Sequence, residues 1–151
     1  MISTDDPGVQ AWRTLLRSHA AIVRELDAAM EQEAGMSVRA YEVLVRLAHV
    51  PGGSLRMAEL ANSVYLSPSG ITRLVDQLVR RGLVTRRKDP NDARSYLAEL
   101  TKRGQSSFER ASVVYRGAVQ THFAQRLSTE QLLSISEILG AFAEGLPRRA
   151  S

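Results

Sequence analysis

The sequence predicts a mainly α-helical fold carrying one small β-hairpin, and three observations predict it. Apolar residues recur at three-and-four spacing through most of the chain, as they do on one face of a helix. Two strand-like pieces, "LVTRR" at 83–87 and "YLAEL" at 96–100, are joined by "KDPNDARS", whose Pro, Asn and Asp residues favour a turn. Ser, Pro and Gly stand where helices have to begin or end.

Taken in order, the first helix is "AWRTLLRSHAAIVRELDAAM", in which Trp12, Leu15, Leu16, His19, Val23, Leu26 and Met30 form one apolar stripe that stops near Gly35. Ser37 can cap a second helix, "VRAYEVLVRLAHV", which ends at the breaker "PGG" of 51–53. A short third helix turns Met57, Leu60, Ala61 and Val64 inward and hands over through Tyr65 and Leu66. A fourth opens with Ser67 as N-cap and Pro68 at the first helical position, where a missing amide hydrogen costs nothing. The hairpin follows. After Thr101, Phe108, Ala111, Tyr115, Val119, His122 and Phe123 again share a stripe. Ser128 with Gln131 reads as a capping box that opens a last helix bearing Leu132, Ile135, Leu139 and Phe142, closed by Gly145 and Pro147.

At 151 residues, with 44% hydrophobic and 24% charged content, the chain is the size of one domain. The absence of cysteine excludes disulfides, thiolate metal sites and thiol redox sensing. The acidic start "MISTDDPGVQ" lacks the apolar segment of a secretory signal, and no apolar run approaches the ~20 residues that cross a bilayer, so a cytoplasmic location is expected. The net charge of +4 is unevenly spread. Residues 56–103 hold ten Arg or Lys against five acids, a balance of +5, and the rest of the chain sums to −1. Positive charge confined to one central third points to an anionic partner, although a solvated basic surface has the same composition.

The fourth helix carries most of the functional argument. Ile71, Leu74, Val75, Leu78 and Val79 follow the i, i+3, i+4, i+7, i+8 pattern and are expected to face a core, which leaves Ser69, Thr72, Arg73, Asp76, Gln77 and Arg80 outside. A B-DNA major groove admits a helix, whose N-terminal amides and small hydroxyls suit phosphates while Arg and Gln reach base edges. Gly70 costs about 0.8–1 kcal/mol against alanine inside a helix, which hints at close approach to a partner. A short helix, a tight link, a second helix and a basic hairpin make a winged helix-turn-helix, the hairpin being the wing. Arg86, Arg87, Lys88 and Arg94 then lie beside the phosphate backbone or a narrow minor groove. Asp92, two residues before Arg94, is expected to orient that guanidinium through paired hydrogen bonds or to stabilise the turn.

At these residues the sequence resembles the MarR family of bacterial transcription regulators, from about Trp12 to about Leu146. The most specific stretch is "MAELANSVYLSPSGITRLVDQLVRRGLVTRRKDPNDARSYLAELTKRGQ", with the Asp-x-Arg wing motif at Asp92 to Arg94 and "LT..G" at Leu100, Thr101 and Gly104. The resemblance implies one domain over 1–151, with a winged core at about 38–100 and dimerisation helices at about 9–34 and 102–146. It implies a homodimer on a palindromic operator, as a repressor relieved by a ligand. DNA contacts from Ser67, Ser69, Gly70, Thr72, Arg73, Gln77 and Arg94 follow from it, and Pro68, Arg86, Arg87, Lys88 and Asp92 complete the candidate surface. Gly70 departs from the family, where many members have threonine.

The stripes at the two ends of the chain support the dimer independently, since a small winged domain has too little surface to bury them. Family members often release DNA on binding a small aromatic or phenolic effector between the dimer helices and the winged domain. Trp12, Arg13 and His19 are the candidate ligand residues here, as an aromatic wall, an anion fork and a hydrogen-bonding group. Arg17, Tyr41, His49 and Tyr65 are weaker candidates, and a lone His19 in an apolar stripe reads more readily as a packed core or interface histidine. His19, His49 and His122 show no metal-ligand spacing, so neither a metal nor another cofactor is expected. No phosphate loop, paired-His motif or nucleophile elbow points to an enzyme. The alternative is a winged helix used only for protein interaction, against which stands the polar, basic face of the fourth helix.

Overall fold

A computed structural model describes residues 6–145. Six α-helices and a three-stranded antiparallel sheet follow one another as α1 (Pro7–Ala34), α2 (Val38–His49), β1 (Ser54–Arg56), α3 (Met57–Ser63), α4 (Pro68–Arg80), β2 (Val84–Asp89), β3 (Asp92–Leu100), α5 (Lys102–His122) and α6 (Thr129–Gly145). A single 3-10 turn, Ala124–Arg126, links α5 to α6. Pro147, expected to close the last helix, and Leu146 lie outside the described residues.

The helix ends follow from local chemistry. Asp6 Oδ1 accepts from the amides of Gly8 and Val9 at 2.7 and 3.0 Å, which starts α1 at Pro7, two residues before its expected beginning. Gly35 ends it in the left-handed conformation at φ 66°, a backbone that glycine adopts without penalty. Ser37 Oγ accepts from Ala40 N at 3.1 Å, and Asp27 Oδ1 takes the Val38 amide at 2.7 Å, so α1 fixes where α2 begins. At the far end Ser128 and Gln131 exchange hydrogen bonds of 2.9 and 3.2 Å, the reciprocal box expected there.

The strand order is β1-β3-β2. β2 and β3 are longer than "LVTRR" and "YLAEL", so the eight-residue connection reduces to a tip at Pro90 and Asn91. β1 was not expected. Its three residues pair with Leu97–Glu99, too short a run for alternation to mark it.

The core gathers Met30 and Met36, Val43, Leu44 and Leu47 of α2, Leu60 of α3, Ile71, Val75 and Leu78 of α4, and Val84 and Ala98 of the hairpin, each at most 2% exposed. Leu74 packs partly against it. Val79 does not: it is 38% exposed, because α4 is covered on one narrow side and the fifth position of the apolar pattern overshoots it. The α1 stripe also divides. Leu26 and Met30 are buried, whereas Trp12, Leu15, Leu16 and His19 are exposed. Leu133, Ile138, Leu139 and Phe142 of α6 are exposed as well. Among the described residues no helix is long and apolar enough to cross a membrane.

Candidate nucleic-acid interface

Helix α4 is set by the turn before it. Leu66 N donates to Ala61 O at 2.9 Å, and Tyr65 takes a left-handed backbone at φ 55°, a conformation that costs a bulky residue energy. Ser67 Oγ then accepts from Gly70 N at 3.1 Å, with Ser69 Oγ 3.2 Å away. A Cβ on Gly70 would come within 3.1 Å of Ser67 Oγ, so the cap itself accounts for much of the missing side chain. Thr72 Oγ1 donates back to Pro68 O at 2.8 Å. Pro68, Ser69, Arg73 and Gln77 are exposed, and the Arg73 and Gln77 side chains bond to no other described residue. The first two turns of α4 thus present small polar groups and two long free donors on one face.

The wing separates its basic residues by strand alternation. Val84, Arg86 and Lys88 share the face on which Val84 and Ala98 are buried, whereas Arg87 faces the other way. Arg86 Nη1 contacts Asp76 Oδ1 of α4 at 3.2 Å, and its guanidinium carbon lies 4.4 Å from the centroid of the Tyr96 ring. Arg87 Nε donates to Glu99 Oε2 at 3.1 Å. Lys88 stands opposite Tyr96, and neither its ammonium nor the Arg94 guanidinium pairs with a described residue. Of four cations expected to face an anion, two are engaged within the protein and two are free.

Of its two expected roles, Asp92 takes the one in the turn. Its Oδ1 accepts from Arg94 N at 3.0 Å and its Oδ2 from Ser95 Oγ at 2.6 Å, so the carboxylate holds the start of β3 and not the Arg94 guanidinium. A side chain two residues upstream reaches the backbone amide before it can reach the far end of an extended arginine. These bonds, the Ser95 hydroxyl first and the Arg94 amide next, hold the Asp92 carboxyl below the usual range. Beside it Asp89 is buried, accepting from Asn91 N at 2.9 Å and from Arg56 Nε at 2.7 Å. The Asn91 amide, then Arg56, depresses its pKa, and the pairing raises that of Arg56. Arg56 thereby ties the strand before α3 to the wing tip. Both residues escaped sequence reasoning, because "SLR" and "KD" carry no spacing that relates them across 33 positions.

The base of the wing is rigid for a steric reason. Thr101 Oγ1 accepts from Gly104 N at 2.8 Å and donates to Gly82 O at 2.8 Å. A Cβ on Gly104 would overlap the Leu83 carbonyl oxygen and come within 2.7 Å of Leu100 Cδ1. The Thr and Gly of "LT..G" therefore serve the join between hairpin and α5.

Trp12, Arg13 and His19 are all exposed on the N-terminal half of α1. Two adjoining cavities, of about 570 and 270 Å³, lie instead beside Arg46 and Tyr65, the smaller walled also by Tyr41 and Tyr115. The Tyr41 ring packs at a tilt of 31° against Tyr115 with centroids 4.8 Å apart, and its hydroxyl donates to Ser112 Oγ at 3.1 Å. Burial, with the nearby Glu42 charge second, raises the Tyr115 pKa. Arg46 and Tyr115 were not among the expected ligand residues; an arginine in the last turn of a helix is too common to signal a site. His49 is occupied structurally, its Nδ1 2.8 Å from Val45 O and its ring edge-on to Phe108.

A model of the MarR family matches residues 34–95, from the end of α1 through the wing motif. A MarR family transcriptional regulator from Streptomyces coelicolor, solved in complex with DNA, superimposes with a TM-score of 0.85 at 32% identity, over 97% of this chain and 90% of that one. An uncharacterized HTH-type transcriptional regulator of Bacillus subtilis is 33% identical over 101 residues, and the HTH-type transcriptional repressor MdtR of the same organism is 28% identical over 92. The matched regions cover 65% and 61% of this chain, and span 65% and 59% of those two relatives. With the winged helix-turn-helix in place and a relative similar over nearly the whole chain, the protein belongs to the MarR family of transcriptional regulators.

Proposed function

We propose that the protein is a homodimeric, sequence-specific DNA-binding regulator, acting as a repressor that a small ligand relieves. The observation that carries this reading is the exposed face of α4, where Ser69, Arg73 and Gln77 stand next to a wing whose Lys88 and Arg94 are free. Such a helix enters a major groove with its N-terminal turns, its amides and hydroxyls on phosphates and Arg73 and Gln77 on base edges. Lys88 and Arg94 contact the adjacent backbone or minor groove. Support comes from the similar Streptomyces coelicolor regulator, which was solved with DNA, and from a relative named as a repressor.

The exposed apolar residues argue for the dimer. Trp12, Leu15 and Leu16 on α1 and Leu133, Ile138, Leu139 and Phe142 on α6 are between 41% and 67% exposed, a pattern that a second copy would cover. Two recognition helices related by a two-fold axis then read a palindrome. Sedimentation of the protein with duplexes of the DNA flanking its gene tests both points together. One dimer per duplex supports the reading. A monomer, or binding without stoichiometry, counts against it.

The effector part of the proposal moves away from Trp12, Arg13 and His19 toward the cavities at Arg46. Tyr41, Tyr65 and Tyr115 offer ring faces there, and the Arg46 guanidinium, which pairs with no described residue, suits a carboxylate or phenolate. Release of bound DNA by a hydroxybenzoate, abolished in Arg46→Ala but retained in His19→Ala, is the expected result. The opposite pattern would return the site to α1.

A further inference from the structure

We infer that Arg86 is a positioning residue, which with Asp76 and Tyr96 sets the angle of the wing against the recognition helix and makes no phosphate contact of its own. The inference rests on the DNA-binding reading, and concerns how that surface is held in shape. Among the described residues, Arg86 is the one wing cation that forms an ion pair with α4. Its Nη1 lies 3.2 Å from Asp76 Oδ1, and its planar face covers the Tyr96 ring at 4.4 Å. Pairing explains the geometry. Arg86 sits opposite Ala98 and therefore diagonal to Tyr96, within reach of a long side chain on the same face of the hairpin. On that face Val84 and Ala98 are buried, β2 packs against α4, and Asp76 lies on α4 one turn before Arg80 and one residue after buried Val75.

One guanidinium thus joins three elements, α4, β2 and β3, with an ion pair at its end and a ring beneath its plane. Its side chain is only 30% exposed, against 49% for the Arg87 side chain, whose partner Glu99 is on the neighbouring strand, so that this pair stays within the hairpin and does not reach α4. A partly exposed pair of this kind adds little to global stability. What it can do is remove freedom between two bodies that must meet two grooves at once, which lowers the ordering cost of binding. A planar group with fixed donors suits that task better than an ammonium.

The sign of one substitution separates the two roles. If Arg86 contacted phosphate, Asp76→Asn would free its charge and tighten DNA binding. If Arg86 positions the wing, Asp76→Asn loosens the wing and weakens specific binding. The experiment has two arms. In the first, spin labels on Arg80→Cys and Asn91→Cys, in a chain that has no other cysteine, report the distance from α4 to the wing tip without DNA, the labelled chain being diluted in unlabelled protein. Arg86→Met and Asp76→Asn are each expected to broaden that distribution, while the melting temperature moves by no more than a few degrees. In the second, both variants lose roughly five- to tenfold in affinity for the preferred flanking duplex at an unchanged salt slope.

Unchanged distance distributions in both variants would overturn the inference. So would tighter DNA binding by Asp76→Asn together with a fall of about 0.9 in the salt slope of Arg86→Met, which marks a lost phosphate contact. Wild-type protein with no preference for any duplex would instead overturn the DNA-binding reading, and the distance measurement would still decide what Arg86 does.

Discussion

The recognition helix and the wing are both basic, yet they spend their charges differently. On α4, Arg73 and Gln77 are exposed and bond to no side chain among the described residues, and the residues that pack are a separate set, Ile71, Val75 and Leu78. On the wing, Arg86 and Arg87 pair with Asp76 and Glu99, Asp89 is buried against Arg56, and Lys88 and Arg94 pair with none of the described residues. A helix separates its faces by 100° per residue and gains its rigidity from its own hydrogen bonds. A two-stranded tip has no such reserve and must be tied down by side chains, so part of its charge becomes scaffold. Counting cations therefore overstates how many are available to DNA.

The largest expected effect strikes the root of the wing. Gly104→Ala drives a methyl into the Leu83 carbonyl and is expected to cost at least about 3 kcal/mol, seen as loss of cooperative thermal unfolding or of soluble protein. Normal stability would mean that the hairpin and α5 can separate there. Arg73→Ala comes next: discrimination between the preferred duplex and its variants is expected to fall by about 1–3 kcal/mol, with random-duplex affinity little changed. Equal loss on both would make Arg73 a backbone contact and erase the contrast with the wing. Ser67→Ala removes the α4 cap at an expected cost of about 1 kcal/mol in chemical denaturation. Arg94→Ala is expected to weaken preferred and random duplexes alike and to lower the salt slope by about 0.9.

The smallest effect is in acid. The Asp89 and Asp92 carboxyls are held below their ordinary values, so the stability they contribute is fully present above about pH 4 and is lost as pH falls through their folded values. Amide protection at the wing tip, the exchange rate set against the intrinsic rate at each pH, should therefore fall only in acid, and Asp89→Asn should remove part of that pH dependence. An acid limb identical in the variant would show that Arg56 holds the tip without the charge.

What was legible in the sequence follows the same division. Ser67 with Pro68, Ser37, Gly35 and the Ser128–Gln131 box each placed a helix end, because capping is decided within four residues. The outward face of α4 was legible for the same reason, apart from Val79, where the periodic pattern runs past the partner that covers it. The wing was legible as a hairpin and a charge count only. Which arginine is tied depends on strand register and on Asp76 and Glu99, ten and twelve residues away in sequence, and the Arg56–Asp89 pair needs the fold to bring the two together. Asp92 holds the turn and does not orient the Arg94 guanidinium, because the nearer backbone amide outcompetes the side chain. Tyr65, at a position whose left-handed backbone favours glycine, gave no sign of its conformation in the sequence around it.

The most direct test of the central claim is an equilibrium titration of the purified protein on duplexes from the DNA flanking its gene, against a random duplex of equal length, across a series of salt concentrations. The account predicts one flanking duplex bound about a thousandfold or more tightly than random, with affinity for both falling steeply as salt rises. Equal affinity for every duplex at each salt concentration would contradict it, leaving α4 as a basic surface that reads no sequence.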